Sequence, residues 1–125
     1  MGLWKQLSRF LGTGASDYTL HLRRSDDGGA TWQSDARTIV KAKNPGLAIN
    51  ALGDVGFLYQ QVTGVTASSR WKTVFERSSD DFAHFDTFTL ADVPATTPTP
   101  AGDMATYIGD YARLEASGRD FYGIF

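Results

Sequence analysis

Three neighbouring side chains carry the most chemistry in this sequence. Asp110, Tyr111 and Arg113 place a carboxylate, a phenol and a guanidinium within one short run. A guanidinium grips a carboxylate-bearing ligand, a phenol attacks or donates a proton, and a carboxylate moves protons. On a strand, alternation sends Tyr111 and Arg113 to one face and Asp110 to the other. Two readings stay open: the three line a ligand site, or they form a structural ion pair beside a tyrosine packed between sheets. Glu76 and Arg77 form a second acid–base pair, but an arginine also recurs at Arg24 in similar surroundings, which points to a structural role. His21 and His84 lie far apart and lack ligand spacing. The chain has no cysteine, which excludes disulfides and thiolate metal sites. No metal or cofactor is expected.

These groups sit in a chain of 125 residues, 42% hydrophobic and 21% charged, which suits one globular domain with a small core. Twelve basic residues against fourteen acidic ones leave a net charge of −2. A nucleic-acid partner would require a basic stripe, and the single adjacent pair Arg23-Arg24 does not make one. No apolar run reaches the ~20 residues of a membrane-spanning helix. The first residues lack the basic-then-apolar order of a signal peptide. Neither nucleic acid nor membrane is therefore an expected partner, and the compartment stays open.

Frequent glycine, 13% aromatic residues and regularly recurring turn signals give the texture of an all-β chain. Tyr18, Leu20 and Leu22 alternate onto one face of a strand. A turn at residues 25–29 leads to a strand at 36–40, and Asn44-Pro45-Gly46 reads as punctuation. Strands follow at 47–52 and 55–62, joined by Gly53-Asp54, then at 71–76 and 86–90 around a polar turn at 78–81. Residues 92–102 read as an irregular connection, and 107–116 and 120–125 as the last strands. Residues 3–11 are ambiguous: Leu3, Trp4, Leu7, Phe10 and Leu11 fall at helical spacing.

An internal repeat resolves that ambiguity toward a strand. Residues 25–32 align with residues 78–85, 53 positions later. Upstream, Tyr18, Leu20, Leu22 and Arg24 meet Trp71, Thr73, Phe75 and Arg77 at the same spacing, and Trp4 meets Phe57. A second spacing of 65 relates residues 49–53 to 114–118, the surplus fitting an insertion in the Pro/Thr-rich connection. A four-stranded unit repeating at ~50 residues is the blade of a β-propeller. The expected fold is all-β: a partial propeller of about two to two and a half antiparallel four-stranded blades. The expected blade parts are about 2–43, 44–93 and 103–125.

Residues 25–32 spell Ser-x-Asp-x-Gly-x-Thr-Trp through Ser25, Asp27, Gly29, Thr31 and Trp32. This resembles the Asp box, the bacterial neuraminidase repeat of sialidases and several other propeller families. Residues 78–85 resemble a decayed copy that keeps Ser78, Asp80 and an aromatic at Phe85. The resemblance implies a structural box on the blade periphery. Gly29 supplies a positive φ, Ser25 and Asp27 accept free turn amides, and Trp32 is driven under the turn. It also implies a glycan-directed parent, in which three arginines hold a sialic acid carboxylate, a Tyr–Glu pair supplies the nucleophile and an Asp handles protons. That set is not matched here, and the Arg-Ile-Pro run that usually carries the first arginine is missing. The resemblance thus leaves a sialidase-like glycoside hydrolase and a non-catalytic propeller that binds a glycan or protein both standing, with the isolated chain expected to be inactive. Two and a quarter blades fall short of the ~4–8 of a closed ring. The chain is therefore expected to be a fragment or a ring-forming protomer that self-associates through open blade edges.

Overall fold

A computed structural model of the chain describes residues 3–10 (backbone only), 18–64, 68–95 and 112–125. Nine strands are present among them: β1 (Leu3–Phe10), β2 (Tyr18–Ser25), β3 (Arg37–Val40), β4 (Ala42–Ile49), β5 (Val55–Thr63), β6 (Arg70–Ser78), β7 (Asp86–Pro94), β8 (Arg113–Ser117) and β9 (Asp120–Ile124). They form three antiparallel sheets in chain order, β1-β2-β3, β4-β5-β6-β7 and β8-β9. The fold is all-β, and residues 3–10 pair with β2 as a strand, from Leu3 opposite Ser25 to Phe10 opposite Tyr18.

The first and second sheets meet face to face over one core. Leu20, Leu22 and Ile39 from the first pack with Val55, Phe57, Tyr59 and Val74 from the second. Period-two alternation explains the choice of residues, since every second side chain of β2, β5 and β6 points into this layer. Burial of each large side chain contributes about 1.5–3 kcal/mol. The intervening residues of β5 point to the opposite side and are buried as well, from Gly56 through Leu58 to Gln60. There the β8-β9 hairpin covers them: Phe121 lies 5.3 Å from Phe75, centroid to centroid. A strand covered on both faces reads as a continuous apolar run, and β5 has that character.

Several boundaries differ from the sequence reading. Asn44-Pro45-Gly46 does not interrupt the chain but lies inside β4, where the register slips between Lys43 and Gly46 as a bulge. Asn44 takes φ 53° there, a conformation asparagine tolerates better than most residues. Ala42 and Lys43 consequently pair with β5 in the second sheet. Residues 50–52 belong to a turn rather than to a strand, because the Asn50 carboxamide captures the amides of Leu52 (3.0 Å) and Asp54 (2.9 Å). Strand β6 runs on through Ser78, and β7 runs to Pro94 past a second register slip. Edge-strand geometry accepts that terminal proline. Strand β8 begins at Arg113, and residues 107–111 lie outside the described residues.

Close approach fixes one glycine. A Cβ on Gly56 would fall 2.6 Å from the Phe121 ring and 2.9 Å from the Phe75 ring. Gly56→Val is expected to wedge the β8-β9 hairpin off β5 and cost about 1–3 kcal/mol, the usual range for overpacking. Urea titrations of the two proteins measure it; equal midpoints would show that the hairpin does not pack on β5 in solution.

Candidate functional site: two hairpin turns and the ion pairs beside them

Residues 25–32 and 78–85 build the same turn from partly different residues. In the first, the Ser25 hydroxyl accepts from the Gly29 amide (2.8 Å) and donates to Asp27 (2.7 Å). Asp27 in turn accepts from the Thr31 amide (2.8 Å) and the Thr31 hydroxyl (2.5 Å). In the second, Ser78 accepts from the Phe82 amide (2.9 Å), and Asp80 accepts from the His84 amide (2.8 Å). The His84 Nδ1, 2.7 Å from Asp80, stands where the Thr31 hydroxyl stands in the first turn. Ser25 and Ser78 are both buried, so each hydroxyl supplies hydrogen bonds that water does not reach.

The backbone conformation repeats too. Gly28 and Gly29 have φ of 71° and 94°; Asp81 and Phe82 have 58° and 65°. Left-handed backbone costs a non-glycine residue roughly 1–2 kcal/mol. Phe82 offsets that strain by burying its ring in the core between the first two sheets. The aromatic partners differ from expectation. Trp32 is half-buried rather than enclosed beneath its turn, and Phe85 is 39% exposed. Trp32 instead lies along the turn backbone, 3.6 Å from the place a Cβ of Gly29 would take.

Charged groups beside these turns are paired across strands and sheets. Arg37 of β3 makes two hydrogen bonds to Glu76 of β6, at 2.8 and 2.6 Å, and Tyr59 of β5 donates to the same carboxylate at 2.9 Å. Glu76 is wholly buried. Its hydrogen bonds, reinforced by its charge, raise the Arg37 pKa. Burial first, and the Glu76 charge second, push the Tyr59 hydroxyl well above the usual tyrosine range. Arg37 also lies 4.3 Å above the Phe85 ring. Arg24 bridges Asp26 in its own turn (2.7 Å) and Asp81 in the other (3.0 Å). Arg77 holds Asp54, which the Asn50 amide also contacts. Asp35 gathers Arg23, His21 and Thr38, at 2.5, 2.7 and 3.2 Å.

The sequence candidates are not brought together as a site. Asp110 and Tyr111 lie outside the described residues. Arg113 projects from β8 into solvent and pairs with Glu115 at 2.5 Å. The Glu76–Arg77 pair splits across the sheet, Glu76 into the core and Arg77 to the other face. Sequence reasoning missed Tyr59 and Arg37 as partners of Glu76. The available signal was an acid at a core-facing position of β6, between Val74 and Ser78, which needs a buried cation opposite it. A Tyr–Glu contact therefore exists, but an enclosed phenol with a raised pKa does not act as a nucleophile on a ligand it cannot touch.

A cleft of about 310 Å³ opens beside the second turn, bordered by Asp54, Arg77, Asp80, His84, Phe85 and Asp86. Among the described residues no group of three or more His, Cys, Asp or Glu side chains is placed to hold a metal ion. Among the described residues no helix is long and apolar enough to cross a membrane. Against known proteins, no family model, no curated protein and no solved structure matches the chain.

Three outcomes are expected. Removing Glu76 as Glu76→Ala leaves the half-buried Arg37 and the buried Tyr59 hydroxyl without their carboxylate and costs up to about 3–5 kcal/mol, the range for breaking a buried pair; denaturant melts check it. Asp27→Ala and Trp32→Ala both lower the unfolding midpoint, the tryptophan by less than the ~3–5 kcal/mol of an enclosed aromatic because it is only half-buried. Variants as stable as the parent would remove the structural role of that turn. The third outcome concerns pH. Hydrogen bonds from Thr31 hold the Asp27 carboxyl down to about 2. Those from Arg23 and then His21 hold Asp35 there too, while Asp54 and Asp80 are also lowered. The folded state then binds fewer protons than the unfolded chain across that acid range. The stability that these four carboxylates contribute is fully present above roughly pH 5 and is lost as pH drops through about 4 to 2. The Asp27→Asn variant flattens part of that slope, as melting temperature against pH would show.

Proposed function

We propose that the chain is a blade-forming portion of an Asp-box β-propeller of the sialidase type, serving a protein that acts on or binds glycans. The observation that carries this reading is the repeat of one turn 53 residues apart, with the serine, the aspartate and two left-handed residues in the same places. Strand order supports it: β1, β2 and β3 precede the second sheet's β5, β6 and β7 at that spacing. The 65-residue spacing likewise relates Gly53 to Gly118, both at positive φ and both two residues before a strand. Three-, four- and two-stranded antiparallel sheets stacked face to face suit successive blades.

In this reading the chain is scaffold, and groups acting on a glycan come from elsewhere in the ring. Arg23, Arg24, Arg37, Arg70, Arg77 and Arg113 are each engaged by carboxylates, so none presents a bare guanidinium to a substrate. A non-catalytic glycan- or protein-binding module is the second reading, favoured by the open cleft with the Phe85 ring at its border. The isolated chain is expected to release no fluorophore from a fluorogenic sialoside. Turnover that Tyr111→Phe or Arg113→Ala abolishes would place the catalytic centre in this chain and overturn the scaffold reading.

A further inference from the structure

We propose that the Asp27–Gly28 peptide is the site at which this chain rearranges its backbone to isoaspartate, and that the hydrogen bonds from Ser25 and Thr31 to the Asp27 carboxylate hold that reaction off in the folded protein. The inference stands on the first turn alone and does not depend on the blade reading.

The reaction needs no reagent but water. The Gly28 amide nitrogen attacks Cγ of Asp27 and a C–N bond forms. The carboxyl OH leaves with the amide hydrogen as water, which closes a five-membered imide. One water then reopens the ring at either carbonyl. Opening at the side-chain carbonyl restores aspartate, and opening at the main-chain carbonyl leaves the chain running through the side chain. Glycine is the follower that favours closure most, because no side chain crowds the attacking nitrogen and the backbone turns freely. Asp27–Gly28 is the sole Asp–Gly pair in the sequence, which also has no Asn–Gly pair. Gly28 fills a position that the Ser-x-Asp-x-Gly pattern leaves unspecified, so the reactive pair belongs to this chain rather than to the motif.

Packing does not obstruct the attack. Asp27 and Gly28 are exposed, and a Cβ at Gly28 would meet no atom within 4 Å. Only hydrogen bonds stand in the way. The Ser25 hydroxyl (2.7 Å) and the Thr31 amide (2.8 Å) donate to one carboxylate oxygen, and the Thr31 hydroxyl (2.5 Å) donates to the other. These bonds act twice. They tie both oxygens to residues 25 and 31, fixing the side-chain torsion that ring closure has to change. They also keep the carboxyl ionised, its pKa held down to about 2, whereas OH leaves only from the neutral acid.

The second turn supplies the comparison. Asp80 accepts there from the His84 amide (2.8 Å) and the Ser78 hydroxyl (3.0 Å), but the residue after it is Asp81, whose side chain crowds the attacking nitrogen. The reaction in the first turn is also the more damaging. Isoaspartate adds one main-chain carbon between residues 27 and 28. The bond from the Gly29 amide to Ser25 and the paired left-handed residues at 28 and 29 fit the natural spacing only, so a turn that has rearranged does not re-form.

The tryptic peptide 25–37 reports the reaction as an isomer of unchanged mass, separated by chromatography. The folded chain is expected to convert far more slowly than the same chain in urea, and equal rates would overturn the proposal. Thr31→Ala, kept folded, is expected to convert about three- to tenfold faster than the parent, the change in open population that one lost hydrogen bond of ordinary strength allows. Thr31→Ser keeps a hydroxyl and should return the parent's rate. A Thr31→Ala rate no higher than the parent's would overturn the guard. Gly56→Val weakens the fold away from the turn and should leave the rate unchanged. If it accelerates conversion as much as Thr31→Ala does, the rate follows whole-chain unfolding and the local guard is overturned. Asp27→Ala is the blank, and isoaspartate in its peptide would overturn the assignment to residue 27. Where Thr31→Ala fails to fold, the comparison of folded and urea-unfolded parent decides alone.

Discussion

Everything between the first two sheets is arranged around one carboxylate with no access to water. A buried ion brings a desolvation cost of several kcal/mol, offset only when charge and hydrogen bonds surround it. Glu76 meets that requirement with three hydrogen bonds from two sheets, two from Arg37 and one from Tyr59. Because the bidentate geometry is directional, it fixes how β3 lies over β6, which apolar contact alone would leave free to slide. Leu20, Leu22, Phe57 and Val74 supply the burial, and the Arg37–Glu76 clasp selects one alignment among the many that burial would accept.

The turn at 78–85 shows how a motif survives loss of its recognisable letters. Glycine at positions 28 and 29 makes left-handed backbone cheap, yet Asp81 and Phe82 adopt nearly the same angles. Two contacts hold them there. The Ser78 hydroxyl binds the Phe82 amide, and the Phe82 ring occupies the core between sheets. Histidine replaces threonine at the position facing Asp80 because either side chain can offer a donor at that distance. The geometry that the two turns share resides in a serine and an aspartate, which act through hydrogen bonds; the core aromatic belongs to the second turn alone, where Phe82 stands at the position of Gly29.

This explains what could be read from the sequence and what could not. The all-β character and the positions of most strands were legible because alternation and turn chemistry are local. The strand at 3–10 was legible only through the repeat, since Leu3, Leu7 and Phe10 also satisfy a helical period. The bulge at Lys43–Gly46 was not legible: Asn44-Pro45-Gly46 has the composition of a turn, and pairing with β5 overrides it. Nor was the incomplete burial of Trp32, which depends on which sheet faces its turn. The Tyr59–Arg37–Glu76 cluster joins residues up to 39 positions apart, beyond any local pattern.

The pairing of the charged groups bears on function more directly than any single motif. Catalysis on an anionic sugar requires cations held ready but uncommitted, so that the substrate's charge replaces water rather than an existing partner. In the described residues the arginines nearest the two turns are already neutralised, Arg24 by Asp26 and Asp81, Arg77 by Asp54, Arg37 by Glu76. A ligand carboxylate would have to displace a protein carboxylate at each, exchanging one ion pair for another with little net gain. The same neutralisation is what a sheet interface needs, because an unpaired charge there would resist burial. The chemistry of these side chains thus suits the joining of sheets, as Arg37–Glu76 and Arg24–Asp81 do between the first two.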